Sequence, residues 1–252
     1  MRMWMRPFAF TAVLALGAVA CEDGTTNTNA FDEAGLSADV ALVAADGMFQ
    51  DLAHMGTPTT WAGMGVGPES VGIEIQGSKT FSRSRTFYDA EGPQDHYDPI
   101  STVRMEIVSD LTREVTHTFW SANIVRHREM EVTGLAGEET ERKWNGSGTG
   151  DVERSRHPEE GTERTYDMQS TATITDVVRG VPRSENPYPL SGTITRTIHA
   201  EITVDGVLEE RDVVTTVTFN GTQFVTMTVD GANYEVDLAE RNVTRRFQRG
   251  NG

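Results

Sequence analysis

Residues 162–179 read TERTYDMQSTATITDVVR. Taken alternately, the stretch divides into two sets. Glu163, Thr165, Asp167, Gln169, Thr171, Thr173 and Thr175 fall on one side, and Tyr166, Met168, Ser170, Ala172, Ile174 and Val178 on the other. A period of two marks an extended strand, because successive side chains leave opposite faces of the pleat. One face suits water and the other a core, the pattern of an antiparallel sheet with one solvated side. Residues 191–205 repeat it: Thr193, Thr195, Thr197, His199, Glu201 and Thr203 alternate with Ile194, Arg196, Ile198, Ala200, Ile202 and Val204.

Outward from this centre the same period runs from Ser70 to near the C-terminus. It predicts strands at 70–77, 79–88, 101–109, 113–120, 123–133, 139–153, 162–179, 191–205, 207–219, 222–229 and 232–238, with a further one near 242–248. Asp205-Gly206, Asn220-Gly221 and Asp230-Gly231 supply the residues that tight hairpin turns require. His157–Gly161 reads as a longer hairpin loop, 63–68 as a glycine-rich loop, and Val181–Leu190, with three prolines, as a connection. Upstream, Ser37–His54 has helical spacing. Val40, Val43, Ala44, Gly47, Leu52 and Met55 share a face, Ser37 caps the start, and Gly56 and Pro58 end it. Gly47 costs such a helix about 1 kcal/mol relative to Ala, so packing must hold it.

The fold class is therefore mainly β: a large antiparallel meander of about eleven strands, a curled open sheet or incomplete barrel, with one N-terminal amphipathic helix. Eleven strands spaced about 4.8 Å apart span about 50 Å. A helix about 10 Å across cannot cover that width, so a cavity or cleft is expected. Gly146, Gly148 and Gly150 share the phase of Trp144. A simple register across a hairpin at 154–161 sets Tyr166 opposite Gly150, Met168 opposite Gly148 and Trp144 opposite Ala172, large side chains covering bare positions. The other reading is a glycine loop that interrupts the strand.

Composition narrows the function. The chain has 252 residues, a net charge of −16 and one cysteine. One cysteine excludes a disulfide framework and a cysteine-based zinc module. The acidic balance argues against a nucleic-acid binder, which needs a basic footprint on phosphate. No Gly-x-Ser-x-Gly, His-Glu-x-x-His or phosphate-binding loop occurs. The six histidines lack ligand spacing; neighbouring strands can bring His117 and His127 together, and Asp95–Pro99 is a loop of metal-compatible composition. No metal, cofactor or catalytic residue is assigned, and the chain reads as non-enzymatic.

Arginine is the sharpest feature of the core phase. Arg83 and Arg85 lie between Phe81 and Phe87, and Arg126 and Arg128 between Ile124 and Met130. Arg142 precedes Trp144, Arg164 precedes Tyr166, Arg196 lies between Ile194 and Ile198, and Arg245 between Val243 and Phe247. Asp176 is among the few acids in that phase. A buried guanidinium keeps its charge and must find water, an acid or an anionic ligand. Arg83, Arg85, Arg126, Arg128, Arg142 and Arg196, with Trp144 and Tyr166, are the candidate lining of a groove for a lipid or other amphipathic anion. The other reading places these arginines at sheet margins, stems on apolar surface and heads in water.

The N-terminus supplies the address. Arg2 and Arg6 precede a short apolar run from Pro7 to Ala20, the layout of a secretory signal. It ends Ala18-Val19-Ala20-Cys21 and resembles the type II signal peptide of bacterial lipoproteins. That resemblance implies cleavage before Cys21 and acylation of its thiol. The chain then divides into a signal at 1–20, a Thr/Asn-rich tether at 21–35 and one β-rich domain with its helix at 36–252. Acylated Cys21 anchors the protein in the cell envelope, on the periplasmic or surface side of a bacterial membrane. Three functions follow for such a domain: binding a hydrophobic or anionic amphipathic ligand in the curved-sheet groove, a structural or protein-interaction role, and, most remotely, hydrolysis at an unrecognised site. In architecture alone, the first resembles envelope lipoprotein carriers of the Lol type.

Overall fold

A computed structural model describes residues 33–55, 77–156 and 163–245. Among the described residues the chain is mainly β, with one open antiparallel sheet of eleven strands and one helix. The helix α1 (Glu33–His54) is followed by β1 (Lys79–Tyr88), β2 (Pro93–Gln94), β3 (Arg104–His117), β4 (Trp120–Thr133) and β5 (Glu141–Arg156). After these come β6 (Arg164–Gly180), β7 (Ser191–Val204), β8 (Val207–Thr218), β9 (Phe224–Val229), β10 (Ala232–Asp237) and β11 (Asn242–Arg245). From β3 to β11 each strand pairs with its neighbours in sequence; β1 pairs β3, and the short β2 forms the edge beyond β1. The expected signal, Cys21, the tether of 21–35 as far as residue 32, the loop at 63–68, the strand at 70–77 as far as residue 76, the loop at 157–161 and the stop at Gly56 and Pro58 lie outside the described residues; residues 33–35, expected in the tether, begin the helix instead.

Three expectations are corrected. The stretches 101–109 and 113–120 form one strand, β3, because Leu111 keeps the inward phase and Asp110 the outward one across the supposed gap. The turn falls at 118–119 instead. In β6 the alternation slips by one at a bulge between Thr175 and Val178, where Asp176 takes φ 47°. Val177 and Arg179 therefore face the core, while Asp176 is exposed. Finally, the β5–β6 ladder continues to Arg156 opposite Arg164, four residues out of the simple register. Tyr166 lies opposite Arg154, Met168 opposite Val152, and Trp144 opposite Val177. The strand is continuous through its glycines, and no aromatic covers them.

Arginine lies over two of them, Arg128 at Gly148 and Arg126 at Gly150, and Met130 over Gly146. One inward row crosses the sheet as Arg83, Ser109, Arg128, Gly148, Ala172, Arg196 and Thr215. A Cβ on Gly148 would stand 2.3 Å from the His127 carbonyl oxygen and 2.6 Å from Arg128 Cδ. The bare position is the space through which the Arg128 side chain passes.

α1 lies against the inward face. It begins at Glu33, four residues before the expected cap at Ser37. Its buried arc is wider than one amphipathic stripe: Val40, Ala41, Ala44, Ala45, Met48, Phe49 and Leu52 are all 9% exposed or less. The reason is curl. The Arg241 guanidinium, just before β11, sits 5.2 Å over the Phe49 ring, and Phe81 of β1 is 5.4 Å from the His54 ring. Strands near both edges of the sheet thus reach one helix. Burying apolar groups on both partners supplies the stabilisation that Gly47 withholds.

Gly47 has its own reason. A Cβ there would lie 2.8 Å from Arg196 Cζ. Gly47→Ala gains about 1 kcal/mol of helix propensity but must displace a guanidinium held by an aspartate. We expect a net loss of about 1 kcal/mol, read as a thermal midpoint lower by about 2–4 °C. A higher midpoint would show that Arg196 moves aside freely.

Candidate functional site

The candidate site is the seam between α1 and the arginines of β4 and β7. α1 carries Asp39, Asp46 and Asp51 and has neither lysine nor arginine. Arg128 donates from Nε to Asp51 Oδ1 at 2.7 Å, and from Nη1 to the carbonyls of His127 and Thr149, both at 2.7 Å. Arg196 donates from Nη2 to Asp51 Oδ2. Arg126 donates from Nη2 to Asp46 Oδ2 at 3.1 Å. Arg126, Arg128 and Arg196 are all 6% exposed or less, and Asp51 is 1% exposed.

Electrostatics follow from that geometry. Burial pushes the Asp51 carboxyl up, but the charges of Arg196 and Arg128 outweigh it and hold the carboxyl below its ordinary value. Burial lowers Arg196 to about 10, with Asp51 opposing it, so the side chain stays charged at neutral pH. His54, one turn beyond Asp51, is lowered to about 4, first by burial and then by the charge of Arg83.

A second cluster lies toward the start of α1. Asp39, 3% exposed, accepts from the Tyr166 hydroxyl and, at 3.3 Å, from Arg156 Nη1, with Arg164 Nη1 3.9 Å away. Tyr166 is pushed up to about 12 by burial and by this carboxylate. At the other end, Arg179 donates to the carbonyls of Leu52 at 3.1 Å and Pro187 at 3.2 Å, the first of these at the helix C-terminus.

The structure therefore sorts the expected residues. Arg126, Arg128 and Arg196 come together under the helix. Tyr166 belongs to the Asp39 cluster, and Trp144 lies in another part of the core, between Val132 and Val177. Arg83 and Arg85 stand half-buried on β1, Arg83 with its guanidinium 4.9 Å over Phe81. Arg142, also half-buried, pairs in register with Arg179. The partners that sequence reasoning missed are Asp39, Asp46 and Asp51, with Arg156 and Arg179. The available signal was charge segregation: a helix bearing only acids, facing strands whose core phase carries arginine.

The inward face is closely packed where α1 covers it. Among the described residues the two best-formed cavities each hold about 10 Å³, room for a single water-sized group. One lies between Gln50, Asp51, His54, Ser109, Leu111, Arg126 and Arg128, and the other between α1 and Met168, Ser170, Arg196 and Ile198. Neither is the ligand-sized cavity that strand number suggested; the sheet curls onto the helix around both.

His117 and His127 do not come together. His117 stacks on Trp120 at 6.0 Å, whereas His127 lies on the outer face, bonded to Asp110 at 2.8 Å. Among the described residues no three His, Cys, Asp or Glu side chains group to hold a metal ion. In the loop at 95–99, Asp98 accepts backbone N–H bonds from Ile100 and Ser101, which is turn geometry. Hydrogen bonding to Asp110 raises His127, and Asp212 likewise raises His199. Such pairs stabilise the fold below the unfolded histidine value and lose that effect as pH rises through the folded one. We expect both to titrate above 6.5 by NMR, and Asp110→Asn to bring His127 alone back down.

No helix among the described residues is long and apolar enough to cross a membrane. The chain matches no protein-family model, no curated protein and no solved structure.

Proposed function

We propose that this protein is a non-enzymatic lipoprotein of the bacterial cell envelope, anchored through acylated Cys21, whose β domain acts as a structural or protein-interaction module. The observation that carries the second half is the inner face under α1: the helix covers it, and its carboxylates already engage Arg126, Arg128 and Arg196, which a groove ligand would need. Surfaces remain for a partner. β2 covers only Phe87 and Tyr88, leaving the edge of β1 from Lys79 to Thr86 without a described neighbour. β9 pairs with β8 only from Thr215 onward, Asp230 takes up the backbone of Val214, and the exposed Val207 and Leu208 lie before that point. Bare strand edges favour pairing with another chain.

A second reading keeps the amphipathic anion. It is favoured by Arg83 and Arg85, half-buried beside the 40% exposed Phe81, where α1 meets the edge of the sheet.

The test is made in a bacterial envelope. Radiolabelled palmitate should enter the protein, and Cys21→Ser should abolish the label and release the protein from the membrane fraction. Unchanged label or retention overturns the anchor. Lipid mass spectrometry of the protein released by Cys21→Ser, purified without detergent, should find it empty. Photo-crosslinkers at Thr80 and Ser82 should capture a discrete protein. Near-stoichiometric lipid that is lost in Arg83→Ala would instead establish the second reading.

A further inference from the structure

We propose that the small cavity beneath the C-terminal half of α1 is a binding site for one monatomic anion of the halide class. Five of its seven lining side chains carry a buried polar atom with no protein hydrogen-bond partner: Arg126 Nη1, Arg128 Nη2, Ser109 Oγ, His54 Nδ1 and Gln50 Oε1. Arg126, Arg128 and Ser109 are 6%, 2% and 2% exposed. Leaving such groups unsatisfied in a dry interior is costly, most of all for a guanidinium.

Charge selects the ligand. Three buried arginines, Arg126, Arg128 and Arg196, share one buried carboxylate, Asp51, and one whose side chain is 45% exposed, Asp46. Both Asp51 oxygens are engaged, Oδ1 by Arg128 and Oδ2 by Arg196. Asp46 Oδ2 serves Arg126 and also accepts from Gln50 Nε2 at 3.1 Å. The seam thus holds one more positive than negative charge. Arg126, Arg128, Ser109 and the Nδ1–H tautomer of His54 offer four donors around one small volume. Gln50 Oε1 is the one acceptor. A water would use that acceptor; a halide satisfies the donors and also the surplus charge. The cavity of about 10 Å³ excludes phosphate and carboxylate ligands by size. A halide is larger than this water-sized space, so it enters only as the cavity widens, and Gln50 and His54, on the less buried flank of the helix, are the walls that yield.

The test is thermal unfolding of the full chain at constant ionic strength, exchanging gluconate for chloride or bromide. We expect the midpoint to rise by about 3 °C at about 0.2 M halide, and the rise to vanish in Arg126→Met. Superimposed curves overturn the site, and so does a rise that persists in Arg126→Met, which would be a bulk salt effect. Should that variant fail to fold, Ser109→Ala serves, with a reduced halide response expected and an undiminished one counting against the site. A crystal grown in bromide gives an independent reading. Anomalous density within hydrogen-bond reach of Arg126 Nη1 and Arg128 Nη2 supports the anion, and a water there overturns it.

Discussion

Asp51→Ala is expected to lower the stability of the protein by about 3–5 kcal/mol, the range for removing one partner of a buried ion pair. Asp51 is the sole buried carboxylate against two buried guanidiniums, those of Arg128 and Arg196. Its removal strands both, and neither will shed its proton. For a domain of this size that loss lowers the thermal midpoint by roughly 10 °C. Urea unfolding of the wild type and the variant measures it directly. Replacing the cations as well, Asp51→Leu with Arg128→Met and Arg196→Met, should recover most of the loss, because a well-packed apolar seam has no charge to desolvate. A single variant within about 1 kcal/mol of wild type would mean that water reaches the seam.

The same seam makes the protein acid-labile, and the sign can be worked out. Unfolded His54 takes its proton near 6.5, the folded one near 4. Between those values the unfolded state binds more protons, so stability falls as pH drops. Asp51 acts in the same direction at lower pH. Its folded value lies below 3.8, so its contribution is present above that value and is lost as pH falls through the folded one. Acid unfolding followed by circular dichroism should therefore begin below about pH 6.5, and His54→Gln should delay its onset.

The second large effect belongs to β5. Gly148→Ala is expected to cost about 3 kcal/mol, although alanine is ordinarily better than glycine in a strand. The added Cβ would meet the His127 carbonyl oxygen at 2.3 Å, and a backbone atom cannot swing aside as a side-chain tip can. Gly146→Ala meets the Glu129 carbonyl oxygen at 2.5 Å and should be nearly as harmful. Gly150→Ala first meets Ser170 Oγ at 3.1 Å and should be close to neutral. Urea unfolding of the three variants ranks them. Equal losses would mean that chain entropy, not contact with β4, governs these positions.

Much of this fold was legible in the residues. Period-two alternation at 162–179 and 191–205 located β6 and β7, and the Asp-Gly pairs located the turns after β7 and β9. Those signals are local: pleat geometry and positive φ at Gly206 and Gly231 act within a few residues. The slip at Asp176 was not legible, because a bulge leaves composition unchanged and only moves the phase. Nor was the β5–β6 register, since turn residues at 157–161 bound a loop without setting its length. The site was half legible. Arginine in the core phase was evident along several strands, but its first partners were sought outside the chain, in an anionic ligand, when Asp39, Asp46 and Asp51 lay in the helix.

By itself, the sequence determined the class of the fold, the order of its strands and helix, the wet and dry faces of β7 and of β6 up to its bulge, and that the dry face carries charge that must be answered. Only the tertiary structure decided what answers it. How far the sheet curls onto α1 depends on the summed packing of eleven strands against one helix, and contacts such as Arg196 with Asp51 or Arg128 with Gly148 join residues distant in sequence or on different strands. No periodicity encodes such pairings. They arise when burial leaves a guanidinium no water and the nearest carboxylate belongs to the helix the sheet has enclosed.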